Sequence, residues 1–108
     1  MKNLTLKQLT ELVMEQAREK GFGTSRKDIS VPEKIALLHS EISEAYEAYR
    51  HKKIKGKGGF EEELGDVLQR LLHLSGSLKI DLEKAIIKKI GSNKKRNWNW
   101  KILNESHR

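Results

Sequence analysis

The sequence lacks cysteine altogether and holds a single proline among its 108 residues. The absence of cysteine excludes a disulfide scaffold and any metal site with cysteine ligands. No apolar run approaches the roughly 20 residues needed to cross a bilayer, and the charged N-terminus has no apolar core typical of a secretory signal. These absences predict a cytoplasmic protein that has no membrane partner.

Acidic residues are outnumbered over the whole chain but concentrated in one segment. The chain holds 22 basic and 15 acidic residues, which gives a formal net charge of +7. Seven of the acids fall between residues 41 and 66, whereas residues 88–101 hold six basic residues and no acidic one. An acidic centre favours a bound cation, and a basic neighbouring segment favours an anionic partner such as a phosphate chain.

The spacing of the apolar residues predicts four helices. Capping patterns mark the first two helix starts, at Thr5–Gln8 and at Ser30–Glu33. The expected bounds are about 6–20, 30–51, 60–78 and 81–90, with Gly91 expected to end the last helix. Short connections between amphipathic helices favour an all-α, antiparallel four-helix bundle-like subunit. Residues 1–108 then form one domain, in which residues 92–108 are a basic tail.

Each expected helix carries an apolar stripe that should be buried. A chain of this length buries only roughly 60–70% of its unfolded surface. We therefore expect oligomerisation, as a homodimer or a homotetramer, to extend a thin core. The residues expected to point inward include Ile42, Tyr49, Leu64, Leu68, Ile86 and Ile90.

Two pairs of carboxylates lie beside these apolar stripes. Glu41 and Glu44 are three residues apart on the second expected helix, and Glu63 and Asp66 repeat the spacing on the third. Residues three apart on a helix are neighbours, with Cβ atoms about 5–6 Å apart. Gly65 lies between the second pair in mid-helix, where glycine costs ~0.5–1 kcal/mol relative to alanine. This cost suggests a close approach by another backbone or by a ligand.

Antiparallel packing of the second and third helices could direct all four carboxylates at one volume. Converging negative charges repel one another, and a divalent cation removes that penalty. Mg²⁺ prefers oxygen ligands and commonly binds through carboxylates and substrate phosphates. Neither pair contains histidine or cysteine, which argues against zinc. The alternative is that such pairs lie on solvated helix surfaces, where acids at this spacing are common.

The segments around these pairs resemble a known family. "EKIALLHSEISEAYEAYR" and then "FEEELGDVLQRLLHLSGSLKIDLEKAIIKK", followed by Asn93 and Arg96, are similar to the MazG-type all-α nucleoside triphosphate pyrophosphohydrolases. The two acidic pairs, separated by an 18-residue gap and followed by "DLEKAI", are the specific part of the match. The resemblance covers residues 33–96, over half of the chain.

The resemblance implies hydrolysis of a nucleoside or deoxynucleoside triphosphate to the monophosphate and pyrophosphate. By motif position, the expected Mg²⁺ ligands are the four acids, and Mn²⁺ is expected to substitute. Glu41 or Glu44 is also expected to orient or deprotonate the attacking water. The residues that the resemblance assigns to contacts with phosphate or nucleotide are Lys89, Asn93 and Arg96.

Two other functions compete with the hydrolase. A small basic helical protein could bind nucleic acid through residues 88–101, with Trp98 and Trp100 stacking on bases. This alternative explains the net charge but not four acids at the edge of the apolar stripes, so nucleic acid is not the expected partner. The third possibility is a helical interaction module without chemistry.

Overall fold

The computed structural model describes residues 3–95, and every regular element in that range is helical. A short 3₁₀ helix, Arg26–Asp28, lies in the first connection. The all-α prediction with four helices is confirmed, and the first three helices end within a residue or two of the expected positions. The helices are α1 (Leu6–Glu19), α2 (Val31–Arg50), α3 (Phe60–Ser77) and α4 (Leu82–Lys94).

Side chains in the sequence fix where three of these helices begin. Thr5 and Gln8 form the expected capping box at α1, in which each side chain accepts a hydrogen bond from the other's backbone N–H. The Ser30 hydroxyl accepts from the backbone N–H of Glu33 at 3.4 Å, and Asp81 caps α4 by accepting from Lys84 at 3.0 Å. These bonds satisfy N–H groups that a helix start otherwise leaves without partners.

The fourth helix is longer than the sequence predicts. The expectation that Gly91 ends this helix is wrong, because α4 continues through it to Lys94. Gly91 does not adopt the positive φ that commonly terminates helices at glycine, and Lys95 closes the helix instead. Residues 92–94, assigned from the sequence to the basic tail, therefore belong to α4.

Helix α3 occupies the centre of the structure. It packs most extensively against α2 and next against α1, whereas α4 packs mainly against α1. The α2–α3 connection is closed by backbone hydrogen bonds from Phe60 to Lys53 and from Glu61 to Ile54. This short hairpin makes α2 and α3 antiparallel, so the two acidic segments lie side by side.

The core is small and depends on close contact between α1 and α3. Gly76 of α3 permits this contact, because a Cβ there would lie 2.5 Å from the Met14 sulfur. Gly65 has no such neighbour: a Cβ at that position meets nothing within 4 Å, so the close approach expected there is absent from the described chain. The buried apolar residues are Met14, Ala17, Ala45, Leu72 and Leu74.

The expected inward direction of several apolar residues is wrong for a single chain. The side chains concerned are exposed because no other helix of residues 3–95 covers them. The exposed residues are Ile42 (54% of its surface), Tyr49, Leu64 (48%), Leu68 (41%), Ile86 and Ile90.

None of the described helices is long and apolar enough to span a membrane.

Candidate metal centre

Three of the four predicted ligands converge where α2 and α3 lie side by side. One carboxylate oxygen each from Glu41, Glu44 and Glu63 can be chosen so that all three lie within 4.8 Å of one another. The helical spacing places Glu41 and Glu44 on one face of α2, and the antiparallel hairpin brings Glu63 opposite them. Glu44 is exposed, whereas Glu41 and Glu63 are partly buried.

Asp66 borders this group without belonging to it. It lies three residues beyond Glu63 on α3 and lines a cavity together with Glu41. The pKa of the Glu63 carboxyl is raised above 4.5 by loss of hydration, and next by the negative charges of Asp66, Glu44 and Glu41. Asp66 is therefore close enough to act electrostatically on the cluster, which is consistent with its predicted place among the ligands.

The two oxygens of Glu41 have different surroundings. Oε1 accepts a 2.8 Å hydrogen bond from Nε of Arg70, and the Glu41 side chain is only 13% exposed. Oε2 is buried and has no hydrogen-bond partner among residues 3–95. A buried carboxylate oxygen without a partner is costly, so this atom calls for a cation or an ordered water.

The donor set fits a hard divalent cation. Carboxylate oxygens are the ligands that such cations prefer, and no cysteine or histidine belongs to the described group. The unpartnered Oε2 of Glu41 would gain a partner, and the repulsion among the acids would be neutralised. The residues present thus suit Mg²⁺ or Mn²⁺ better than zinc.

A cavity of about 450 Å³ opens beside the cluster, between α1, α2 and α3. Its wall combines the acids Glu41 and Asp66 with the cationic side chains of Lys34 and Arg70. The side-chain amides of Gln16 and Gln69 form another part of the cavity wall, and Gln69 donates a 3.0 Å hydrogen bond to Gln16. A volume of this size lies within the range of small-molecule sites, and its mixed charges suit a metal-bound anion.

Of the substrate-binding residues inferred from the resemblance, the structure describes two, and both lie outside this cavity. Lys89 and Asn93 are on α4 and do not line this cavity. Arg96, Trp98 and Trp100 lie outside the described residues. The structure instead adds Lys34 and Arg70, which the sequence reasoning did not single out. The position of Arg70, four residues beyond Asp66 on one helix face, is the signal that could have identified it.

A comparison with protein families decides the identity of the domain. The family described as the MazG nucleotide pyrophosphohydrolase domain matches residues 32–98, more than half of the chain. The chain belongs to this family. Both acidic pairs lie within the matched MazG region, whereas α1, which supplies part of the cavity wall, precedes it. Comparisons with curated proteins and with solved structures found no match to the chain.

Membership of the MazG family confirms the predicted enzyme class. The protein is a nucleotide pyrophosphohydrolase, that is, a hydrolase acting on phosphoric anhydride bonds. The family generally uses a divalent metal, and the described acidic cluster is a suitable place for one. The alternatives of a nucleic-acid-binding protein and of an interaction module without chemistry do not account for this match.

Proposed function

We propose that the protein hydrolyses nucleoside or deoxynucleoside triphosphates to the monophosphate and pyrophosphate, in a reaction that depends on Mg²⁺. One observation carries this proposal: Glu41, Glu44 and Glu63, all within the MazG region, bring carboxylate oxygens within 4.8 Å of one another, and Glu41 also has a buried oxygen without a hydrogen-bond partner among the described residues. The adjoining cavity, with both acidic and basic walls, gives room for a nucleotide.

The four acids would bind the metal together. Glu41, Glu44 and Glu63 offer converging oxygens, and Asp66 offers a fourth carboxylate at the cavity wall. A bound Mg²⁺, or Mn²⁺ in its place, supplies positive charge to the phosphate oxygens and the leaving pyrophosphate. Without a cation, the same carboxylates would repel an anionic substrate.

Glu44 is the better of the two candidates for orienting or deprotonating the attacking water. Glu41 is held by Arg70 at one oxygen and is buried at the other, which restricts its access to water. Glu44 is exposed and makes no ion pair among residues 3–95. We therefore assign Glu44 the base role and Glu41 primarily a ligand role.

The phosphate contacts of Lys89, Asn93 and Arg96 remain part of the proposal and rest on the family resemblance. Lys89 is exposed on α4, so its ammonium group is accessible to an anion in the solvent. Lys89 and Asn93 lie four residues apart on that helix, and residues at this spacing share one face. Neither residue lines the cavity, so their proposed phosphate contact rests on the resemblance alone.

The exposed apolar residues support the proposed oligomer. Leu64 and Leu68 on α3, with Ile86 and Ile90 on α4, expose apolar surface that a second copy of the chain would cover. The open space around Gly65 would allow that copy to approach α3 closely. We propose a homodimer or homotetramer, since a core of five buried apolar side chains leaves much apolar area in water.

Pyrophosphate release from a panel of nucleoside and deoxynucleoside triphosphates tests the proposed reaction. Release with Mg²⁺, and none after chelation, is the expected outcome. Appearance of single phosphate instead of pyrophosphate would show that another anhydride bond is cleaved. Absence of hydrolysis of every triphosphate, by protein that is folded and binds Mg²⁺, would contradict the proposal.

A further inference from the structure

Arg70 makes an ion pair that differs from the others in the described chain. Its Nε lies 2.8 Å from Oε1 of Glu41, so the pair joins α3 to α2. The remaining pairs among residues 3–95 connect neighbours at the C-terminal end of α2, including a contact of Glu47 with His51 that is an ion pair only when the histidine is protonated, or tie the hairpin loop to the start of α3. Arg70 is 42% exposed and Glu41 13% exposed, so the pair lies at the boundary between cluster and solvent.

This ion pair places a cation on a proposed metal ligand. While the guanidinium is bound to Oε1, it neutralises part of the charge that would attract a divalent ion. It also repels an approaching cation at short range, where screening by salt is weak. A cation at the unpartnered Oε2 and the guanidinium at Oε1 would therefore compete for the negative charge of one carboxylate.

The same guanidinium has an alternative partner within reach. Arg70 lines the cavity beside the cluster, together with Lys34 and Asp66. The bond to Glu41 uses Nε, and the guanidinium has two further nitrogens that can donate hydrogen bonds. A planar guanidinium matches the oxygens of a phosphate group in charge and in geometry.

We propose that Arg70 couples cation binding to binding of the triphosphate chain. Before the cation binds, Arg70 is the counter-ion of Glu41. A cation at Oε2 would neutralise Glu41 and weaken this ion pair, so that Arg70 would be released towards the cavity and would bind a phosphate oxygen of the substrate. This inference rests on the proposed function, and it makes Arg70 a phosphate-binding residue as well as a positioning residue for Glu41.

The coupling predicts two effects of opposite sign when Arg70 is removed. Binding of the cation alone should become tighter, because its competitor is gone. Binding of the phosphate chain to the cation-loaded protein should become weaker, because a donor is gone. A side chain that merely supports the fold would weaken both, so the opposite signs distinguish coupling from support.

Calorimetric titration of the full chain can measure both effects. In the first titration, Mn²⁺ alone is added to the protein. In the second, the Mg²⁺ complex of tripolyphosphate is added to protein that is already saturated with Mg²⁺. Tripolyphosphate has no base or sugar, so the unknown base preference does not influence the result. For Arg70→Met we expect about fivefold tighter binding of Mn²⁺ and about tenfold weaker binding of tripolyphosphate.

Two further variants control the measurement. Arg50→Met removes an equal charge from an exposed i, i+3 pair with Glu47 on α2 and should leave both affinities unchanged. Arg70→Lys keeps the charge but loses the planar donors. It should bind Mn²⁺ as the wild type does and tripolyphosphate with intermediate affinity. Circular dichroism of each variant establishes that the helices are retained.

The proposal is overturned if Arg70→Met binds Mn²⁺ no more tightly than the wild type, or tripolyphosphate no more weakly. If the wild type releases pyrophosphate from triphosphates while both affinities are insensitive to Arg70, only the coupling fails. If the wild type binds no Mn²⁺, the proposed metal-dependent function fails and the coupling with it.

Discussion

The rings of Tyr49 and Phe60 pack with their centroids 5.3 Å apart, at the point where the α2–α3 hairpin closes. The planes are tilted by 57°, an arrangement that aromatic pairs favour. From this contact the two helices run back alongside each other, and Glu44 and Glu63 follow within the next turns. The ring pair thus lies beside the hydrogen bonds that close the hairpin, about one turn from the carboxylates, where it can stabilise the register of the two helices.

Phe60→Ala should loosen this register. Loss of the ring contact should lower the free energy of unfolding by about 1 kcal/mol beyond the loss of apolar burial. It should also weaken Mn²⁺ binding, because the acids of α2 and α3 would be held less firmly opposite each other. Urea unfolding and calorimetry measure the two effects, with Phe60→Tyr as the control that keeps a ring. Unchanged Mn²⁺ affinity in Phe60→Ala would show that the register does not depend on this contact.

Ionisation of Glu63 should destabilise the metal-free protein as the pH rises above the ordinary glutamate pKa of 4.5. The raised pKa of Glu63 means that the folded state retains a proton that the unfolded chain has already released. Because the folded state binds more protons, the free energy of unfolding decreases with pH through this window. Urea unfolding with a chelator present, from about pH 4 to pH 7, measures the slope. Glu63→Gln should flatten it, and an equally steep slope in that variant would assign the effect to another group.

Lys89→Ala should weaken substrate binding more than turnover. If Lys89 contacts phosphates already in the ground state, KM should rise several-fold while kcat changes little. Lys88→Ala is the matched control, because it removes the same charge one residue away on another face of α4. Equal changes in both variants would indicate a general effect of the basic helix rather than a specific contact.

The exposed apolar surface predicts a homodimer or homotetramer at micromolar concentration. Leu68→Lys places a charge on the exposed face of α3 and should shift the protein towards monomers. Ile54→Lys makes the same change in the hairpin loop, at a position of similar exposure, and should leave the oligomeric state unchanged. Light scattering measures the mass of each species, and a monomeric wild type would contradict the proposed assembly.

Local sequence patterns predicted the helices and part of the cluster. The capping box of Thr5 and Gln8 and the acids spaced three residues apart act within one helix, so the sequence exposes them directly. The prediction at Gly91 is wrong because glycine commonly ends a helix by adopting a left-handed backbone, which Gly91 does not adopt, and the sequence alone does not reveal the backbone conformation.

Tertiary relationships could not be predicted in the same way. The ion pair between Arg70 and Glu41 spans 29 positions and depends on the register of two helices. The apolar stripe that includes Leu64 and Leu68 shows that these residues favour burial, but not whether the same chain or another copy covers them. Such features require the arrangement of α2 and α3, which periodicity alone does not give.

Pyrophosphate release by Glu63→Gln, beside the wild type and Glu61→Gln, tests the central claim most directly. Glu61 is the control because it lies on the same helix but pairs with Lys55 in the hairpin loop. With Mg²⁺ present, we expect the wild type and Glu61→Gln to release pyrophosphate at similar rates. Glu63→Gln should be slower by at least about 100-fold, with its helices retained and its metal-free stability equal or higher. Wild-type rates in Glu63→Gln would show that these carboxylates are not the catalytic centre.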